Sequence, residues 1–295
     1  MRFAFKTSPQ NTTWNDMLAV WQAADDIDAF ESGWTFDHFY PIFSDPTGPC
    51  LEGWVTLTAL AQATRRLRVG VLVTGIHYRH PAVLANMASA LDIVSNGRLE
   101  LGIGAGWNEE ESGAYGIELG SIKERFDRFE EACQVLKSLL SAETTTFDGR
   151  FYQLKDARNE PKGPQQPHPP ICIGGSGEKR TLRITAQYAD HWNFVGGTVE
   201  EFIRKREVLA GHCADVGRDP ADIMISAHVR LNADLDTARA IDEAAALGAE
   251  GLDLAIIYLP PPHTPAVLEP LAEAIRDSGL LTSANQPRTR TVTNP

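Results

Sequence analysis

His38 is the first residue whose type and position could do chemistry, because it follows a predicted strand at residues 33–37. An imidazole at a strand end can titrate near neutral pH and can move a proton to or from a reacting group. Asp37 alternates to the other face of the strand, so it need not be the hydrogen-bond partner of His38. Two interpretations stay open: a proton-transfer residue, or a histidine bonded into the loop at residues 39–49.

The stretch from Leu99 to Glu111 is a second candidate, since a short buried strand there ends in glycines. Its first half alternates with the two-residue period of a strand. Gly104 and Gly106 then permit a sharp turn or a close approach of the backbone to a ligand. Asn108 and three glutamates follow at once. The pattern fits the rim of an α/β barrel that binds a ligand, and it fits a ligand-free turn into a helix equally well.

A second glycine run, Gly174-Gly175-Ser176-Gly177, follows another apolar strand and opens a predicted helix. Free backbone N–H groups at a helix N-terminus bind anions, and Ser176 adds a hydroxyl. We therefore favour a phosphate site over a plain turn. No Gly-Lys-Ser/Thr follows, so this is not a P-loop, and the glycines after Leu99 do not complete the dinucleotide fingerprint.

Three histidines raise the question of a metal ion. His77 and His80 follow the third predicted strand, and His38 is distant from them in sequence. The carboxylate pattern of a zinc or iron site is not recognisable among them. We expect no metal, and we expect His80 to brace the start of a helix at Pro81.

The elements that must position these residues alternate between strand and helix along the chain. Strict alternation favours a parallel sheet with helices outside, and eight units in about 280 residues match a closed (β/α)8 TIM barrel. We predict one domain at residues 1–281, an insertion at 144–170 with a hairpin near residues 148–149, and a flexible tail at 282–295. The predicted strands are residues 2–6, 33–37, 67–74, 99–104, 171–174, 191–195, 223–229 and 252–256. The predicted helices are residues 14–31, 54–65, 81–94, 121–140, 178–188, 200–215, 237–247 and 265–277.

The composition excludes several classes of partner. The 295 residues carry a formal net charge of -12 and contain no long basic cluster, so we expect no nucleic acid. No run of 18 apolar residues could cross a membrane, and the N-terminus lacks the apolar core of a signal peptide. The four cysteines form no C-x-x-C pair, which fits a reducing compartment. We expect a cytoplasmic protein.

Five segments, in this order and spacing, are similar to those of a known superfamily. They are Gly33-Trp-Thr-Phe-Asp-His-Phe39, Tyr78-Arg-His-Pro-Ala82, Leu91-Asp-Ile-Val-Ser-Asn-Gly-Arg98, Leu101-Gly-Ile-Gly-Ala-Gly-Trp-Asn108 and Ile173-Gly-Gly-Ser-Gly177. With them, residues 1–280 resemble the luciferase-like superfamily and, within it, the oxidoreductases of actinobacterial type that use the deazaflavin coenzyme F420. The resemblance is less specific for F420 over FMN.

The resemblance implies a deazaflavin ring across the carboxyl-terminal mouth of the barrel and hydride transfer at ring carbon C5. His38 would donate or accept the accompanying proton, and Asp37 would lie at the edge of the ring. A non-proline cis peptide at Leu72-Val73, with Thr74 next to it, would back the ring. The remaining predicted cofactor contacts are Ala105, Gly106 and Asn108 along the ring and ribityl chain, and Gly174, Gly175, Ser176 and Gly177 around the phosphate.

The sequence departs from the sugar-phosphate dehydrogenases of this superfamily. Those enzymes carry a Trp shortly after the Asp-His pair and a Glu just after Gly-x-Gly, where this chain has Ile42 and Trp107. The resemblance therefore favours another substrate. Phe39, Tyr40 and Trp107 predict an aromatic pocket suited to a planar or apolar carbonyl or enone.

Two alternatives to this function remain: an FMN-dependent monooxygenase that works with a reductase, and a barrel that only binds or stores the cofactor. Similar proteins are commonly dimers, and the predicted helix at 54–65 is a candidate contact surface. The segment at 144–170 could be a substrate lid or a surface insertion, with neither favoured.

Overall fold

The computed structural model describes residues 1–282, and its strands form a closed parallel barrel. The described strands are, in chain order, β1 (Arg2–Lys6), β2 (Ser32–Thr35), β3 (Arg68–Val71), β4 (Thr74–Gly75), β5 (Leu99–Gly104), β6 (Thr145–Asp148), β7 (Gln153–Ala157), β8 (Ile171–Gly174), β9 (His191–Phe194), β10 (Met224–Arg230) and β11 (Leu254–Tyr258). Nine of them follow the order β3-β2-β1-β11-β10-β9-β8-β5-β4, and the β3–β5 pairing closes the ring. Because β3 and β4 are two halves of one barrel strand, the ring has eight strands, and the predicted TIM barrel is confirmed.

Helices on the outside connect successive barrel strands. The described helices are α1 (Trp14–Asp25), α2 (Gly53–Ala63), α3 (Pro81–Val94), α4 (Glu109–Ala114), α5 (Ile122–Ser141), α6 (Thr181–Tyr188), α7 (Val199–Asp215), α8 (Thr237–Ala249) and α9 (Leu268–Asp277). Thr13, Ser121 and Thr198 begin three of them with capping boxes, which satisfy N–H groups that have no partner inside the helix. The short helix α4 is not among the predicted elements.

The first helix ends earlier than the sequence predicts. α1 ends at Asp25 and not at residue 31, although the apolar spacing continues. The Arg66 side chain donates to the carbonyl oxygens of Ala24, Ile27 and Phe30 at 3.0, 2.7 and 2.6 Å. These carbonyls are satisfied by a guanidinium and not by another helical turn, so the chain can turn into β2 at this point.

The inside of the barrel has an apolar layer and a polar layer. The apolar cluster consists of Ala4, Trp34, Leu72, Cys172, Leu254 and Ile256. In the polar layer, the carboxylate of Glu100 contacts His191 Nδ1 at 3.0 Å and Arg68 Nε at 2.8 Å. His191 Nε2 contacts Ser226 Oγ at 2.6 Å. The barrel interior is therefore a packed core below its mouth.

The insertion lies against the outer helices. β6 and β7 form the predicted hairpin, and Glu131 of α5 accepts from the backbone N–H groups of Arg150, Phe151 and Tyr152 at its turn. Asn159 donates to Ser89 Oγ of α3 at 2.8 Å. These contacts favour the surface-insertion alternative, and a role as a lid stays a prediction.

Within residues 1–282, no helix is both long and apolar enough to cross a membrane. The predicted domain boundary at residue 281 stays a prediction. The predicted tail at 282–295 lies, apart from its first residue, outside the described residues.

Candidate active site

His38 lies at the barrel mouth just after β2, and its ring is fixed by a carboxylate. His38 Nδ1 is 2.7 Å from Glu111 Oε2, and the ring packs edge-on against Phe36 and Trp107. Its Nε2 has no hydrogen-bond partner anywhere in residues 1–282. When the Nδ1–H group donates a hydrogen bond to Glu111, the neutral ring presents a lone pair at Nε2. The geometry therefore leaves Nε2 available for proton transfer.

Glu111 is a buried carboxylate surrounded by donors. Besides His38, it accepts from the Tyr78 hydroxyl and, at 2.6 Å, from the backbone N–H of Phe39. Burial alone would raise the pKa of Glu111, but these hydrogen bonds outweigh burial and lower it. Glu111 thus stays ionised and can stabilise a protonated His38. We call His38, Tyr78 and Glu111 the histidine wall.

Glu111 belongs to the short helix α4, which places its side chain next to His38. Asn108 Oδ1 accepts from Glu111 N at 3.1 Å, which is the bond of a helix N-cap. Asn108 is buried, and its predicted contact with a ribityl chain stays a prediction. Ala105 and Gly106 are partly exposed at the same rim, as a ring contact requires. A Cβ at Gly106, whose φ is +85°, would come within 2.4 Å of His77 Nδ1, so a side chain does not fit there.

Asp37 has a structural partner. Both of its oxygens contact the Arg79 guanidinium, which also donates to Glu52 at 3.0 Å. Burial raises the pKa of Asp37, and Arg79 opposes this effect. Trp54 donates to Thr74 Oγ1 at 2.8 Å next to this pair. These contacts join the ends of β2 and β4 to α2, and the predicted contacts of Asp37 and Thr74 with the cofactor stay predictions.

The third barrel strand is interrupted where the resemblance implies. The Leu72-Val73 peptide bond is cis, which confirms that prediction, and it divides the predicted strand at residues 67–74 into β3 and β4. A Cβ at Gly104 would come within 2.8 Å of Val73 Cγ2, and one at Gly174 within 2.9 Å of Val73 Cγ1. These two glycines therefore make room for the Val73 side chain.

The second glycine run is a loop before a helix and does not open the helix directly. The predicted helix at 178–188 is wrong at its start, because α6 begins at Thr181. The loop wraps the Thr181 side chain, which a Cβ at Gly175 or Gly177 would meet at 3.1 and 2.8 Å. Ser176 Oγ is buried and has no hydrogen-bond partner in the described part of the chain. Such an orphaned hydroxyl fits an anion at this loop.

The aromatic residues of the predicted pocket lie after β2 and after β5, and their role as a substrate pocket stays a prediction. The Phe39 ring packs against Tyr115 at 4.8 Å, and Tyr40 stacks on Tyr115 at 6.5 Å. Trp107 is 51% exposed and stacks in parallel on Phe43, which the sequence did not single out. Together these rings form an exposed apolar patch, and patches of this kind often mark a ligand or partner site.

Sequence reasoning missed the partners that hold the site. Glu111, Tyr78 and Arg79 are brought to Asp37 and His38 by the fold alone. The N-cap spacing from Asn108 to Glu111 was the only local signal for the first of them. Among the described residues, no group of three or more His, Cys, Asp or Glu side chains could hold a metal ion.

Comparison with known proteins gives consistent matches. The model of the family described as luciferase-like monooxygenase matches residues 1–289. An F420-dependent glucose-6-phosphate dehydrogenase of Microbacterium testaceum is 30% identical over 81% of this chain and 70% of its own length. An F420-dependent hydroxymycolic acid dehydrogenase of Mycobacterium tuberculosis is 30% identical over 70% of this chain and 56% of its own. A solved F420-dependent secondary alcohol dehydrogenase shares the fold with a TM-score of 0.81 and 19% identity, over 94% of this chain and 98% of its own.

Proposed function

Because this chain belongs to the luciferase-like monooxygenase family, we propose that it is an F420-dependent oxidoreductase. It is an enzyme whose cofactor is coenzyme F420 and whose substrate is a small organic molecule. Both relatives compared above are named as F420-dependent dehydrogenases, which supports this cofactor. In this chain, the observation that carries the proposal is His38, whose ring Glu111 fixes at the barrel mouth with Nε2 available.

The residues at the mouth fit this cofactor. The loop of Gly174, Gly175, Ser176 and Gly177 would hold the phosphate, since the buried Ser176 hydroxyl lacks a partner. The ring would lie against the cis peptide at Leu72-Val73. Its other contacts would be Asp37, Thr74, Ala105, Gly106 and Asn108. When bound, F420 supplies or accepts a hydride at ring carbon C5.

His38 handles the proton that accompanies the hydride. In the reducing direction, a protonated His38 donates from Nε2 to the substrate, and in the oxidising direction the neutral ring accepts there. Glu111 favours the Nδ1–H form of the ring and stabilises the protonated state. The Tyr78 hydroxyl and the Phe39 N–H keep Glu111 ionised and in place.

The substrate presents an apolar surface to the enzyme. Phe39, Tyr40 and Trp107 offer aromatic faces at the rim, and such faces bind planar carbonyls or enones. A thermal-shift screen of aromatic enones against phosphorylated sugars tests this assignment. Selective stabilisation by a sugar phosphate would overturn it.

Titration with F420 and with FMN tests the cofactor. We expect micromolar or tighter binding of F420, and absorbance changes near the deazaflavin band when an enone is added to the reduced form. Tight binding of FMN without binding of F420 would favour an FMN-dependent monooxygenase. Binding of F420 with no turnover of any acceptor would favour a barrel that only stores the cofactor.

The chain is a cytoplasmic homodimer in this proposal. Val55 on α2 is 73% exposed and Val83 on α3 is 53% exposed, which marks an apolar outer surface near β2 and β3. The four cysteines are free thiols, as in a reducing compartment. Light scattering of the wild type and of Val55→Glu tests the dimer, and a monomeric wild type would contradict it.

A further inference from the structure

Three basic side chains line the inner face of the barrel mouth. Lys6 ends β1, and His228 and Arg230 lie near the end of β10. In the strand register, Lys6 and Arg230 are both level with Tyr258 of β11. The ring order places β10 and β11 diametrically across from β3 and β5. We call Lys6, His228 and Arg230 the basic wall.

The alternation of β10 fixes where these side chains point. Ser226 lies inside the barrel, where its Oγ is 2.6 Å from His191 Nε2. His228 and Arg230 follow Ser226 at steps of two residues, and successive even steps along a strand share one face. Both side chains therefore face the interior of the mouth.

The Tyr258 ring is close to both Lys6 and Arg230. Lys6 Nζ is 5.2 Å and Arg230 Cζ is 5.4 Å from the centre of this ring. Lys6 Nζ donates to the carbonyl oxygen of Leu72 at 2.9 Å, which uses one of its three N–H donors. Lys6 Nζ thus reaches the cis peptide at Leu72-Val73 and retains donors for a ligand.

These cations have no acidic partner. Deeper in the barrel, the Arg68 guanidinium is paired with Glu100 at 2.8 Å. Neither Lys6 nor Arg230 forms an ion pair within the described residues, although the chain as a whole carries a net charge of -12. The charge of Arg230 interacts electrostatically with Glu243 of α8, but the two side chains form no ion pair. Lys6 is only 4% exposed, and an unpaired charge at such a buried position is costly in a folded protein, whereas Arg230 is exposed.

The electrostatics of the wall point to a missing anion. Burial, and then the charge of Arg230, lower the pKa of Lys6 to about 7. Burial, followed by the charges of Lys6 and Arg230, lowers the pKa of His228 well below its usual value. His228 Nε2 is buried and has no hydrogen-bond partner among residues 1–282. An anion between these groups would supply both the missing charge and the missing partner.

We propose that the basic wall is a subsite for an oxyanion, a carboxylate or a phosphate, that the substrate carries. This inference rests on the proposed function, because it assigns a substrate to the same barrel mouth. A guanidinium and an ammonium that contact one anion form charge-assisted hydrogen bonds, which are stronger than those between neutral groups. A bound anion would also favour the ammonium form of Lys6. The substrate would then have an apolar, planar body toward Phe39 and Trp107 and an acidic end toward Lys6 and Arg230.

Calorimetric binding of trans-cinnamate and of its neutral isostere cinnamamide tests the subsite. Both probes are titrated into the cofactor-free chain and into the F420-loaded enzyme, in a low-salt buffer without phosphate or other carboxylates. We expect cinnamate to bind about tenfold more tightly than cinnamamide, which is about 1.4 kcal/mol. Inorganic phosphate is expected to compete with cinnamate, and added salt to weaken cinnamate only.

Two variants assign the effect to the wall. Lys6→Met and Arg230→Gln are each expected to reduce the preference for cinnamate to about twofold or less, with the affinity for cinnamamide nearly unchanged. Arg230 is exposed, so its variant should fold even if Lys6→Met does not. Arg183→Gln, on the exposed face of α6, is the matched control and should keep the full preference.

The outcomes separate this subsite from the proposed cofactor. Equal affinities of cinnamate and cinnamamide, or a preference that survives in Arg230→Gln, overturn the inference. Weaker binding of F420, but not of a deazaflavin without the phosphate, in Arg230→Gln would assign the wall to the cofactor and also overturn it. If F420 fails to bind while cinnamate binding still depends on Arg230, the subsite stands and the proposed cofactor is wrong. Tighter binding of glucose 6-phosphate than of cinnamate would identify the oxyanion as a phosphate, and it would overturn the enone assignment while the subsite stands.

Discussion

The histidine wall and the basic wall share one barrel mouth but treat charge in different ways. On the histidine wall, His38 is paired with Glu111, and the neighbouring Asp37 is paired with Arg79. On the basic wall, Lys6 and Arg230 share only the ring of Tyr258. The first arrangement is complete in the protein itself, whereas the second lacks a negative charge.

This difference separates groups that are organised in advance from groups that a ligand completes. A charge that is already paired can hold a proton-transfer residue in one geometry through the reaction, without reorganisation. An unpaired buried cation costs folding free energy, and a bound anion offsets this cost. The contrast predicts that substitutions on the histidine wall lower activity. Replacing Lys6 on the basic wall should instead remove the cost of an unpaired charge, which is visible in the pH dependence of stability.

The largest effect is expected for His38→Ala. Removal of the proton donor should lower kcat by about 10²- to 10⁴-fold, which is the usual contribution of general acid–base catalysis. The dissociation constant of F420 should change much less, because the proposed phosphate loop after β8 is intact. Stopped-flow absorbance measures both quantities, and full turnover in the variant would remove His38 from its assigned role.

Arg79→Met should destabilise the fold, because it leaves Asp37 buried without its partner. Loss of one member of a buried ion pair costs about 3 kcal/mol of unfolding free energy or more. Urea denaturation measures this change. The double variant Asp37→Asn, Arg79→Met is the control and should recover part of the loss, since it removes both charges. A single variant as stable as the wild type would show that the pairing of Asp37 with Arg79 does not stabilise the fold.

Glu111→Gln should lower kcat by about 10- to 100-fold, by analogy with carboxylates that orient metal-binding histidines. A glutamine amide carries no charge to stabilise protonated His38, and it can also present its NH₂ group to the ring. F420 affinity should stay close to that of the wild type. The exposed neighbour Glu110→Gln is the control, and an equal loss in both variants would argue against a positioning role.

Lys6→Met tests the basic wall through the pH dependence of stability. The unfolded chain keeps Lys6 protonated up to about 10.5, whereas the folded pKa is about 7. Between these values the unfolded state binds more protons, so wild-type stability should rise with pH. From pH 8 to pH 9 the rise relative to Lys6→Met should be at most about 1.4 kcal/mol.

The neighbours of Lys6 should not obscure this slope. The pKa of His228 lies well below its usual value and that of Tyr258 is raised, both mainly by burial, so neither titrates between pH 8 and 9. Lys155→Met, at an exposed position of β7, is the control and should give no slope. A pH-independent difference between wild type and Lys6→Met would mean that Lys6 is not held as the structure indicates.

Much of the scaffold could be predicted because its signals are local. The alternation of strand and helix periods predicted the eight-strand barrel. The turn residues near Asp148 predicted the hairpin of β6 and β7. Residue types at strand ends indicated His38 and the loop around Ser176. Local signals failed where long-range contacts decide an element's end, as when Arg66 ends α1 at Asp25.

The sequence by itself determined the ring of strands, its glycine-rich mouth and a histidine at its rim, because hydrophobic period and residue type act over a few neighbouring positions. Only the tertiary structure decided which charges meet. Glu111 lies 73 residues from His38 in the chain, and Lys6 reaches the level of Arg230 only through the closed register of β1, β11 and β10. Closure of the barrel brings such residues together, and no local pattern records which of them will be paired and which will be left for a ligand.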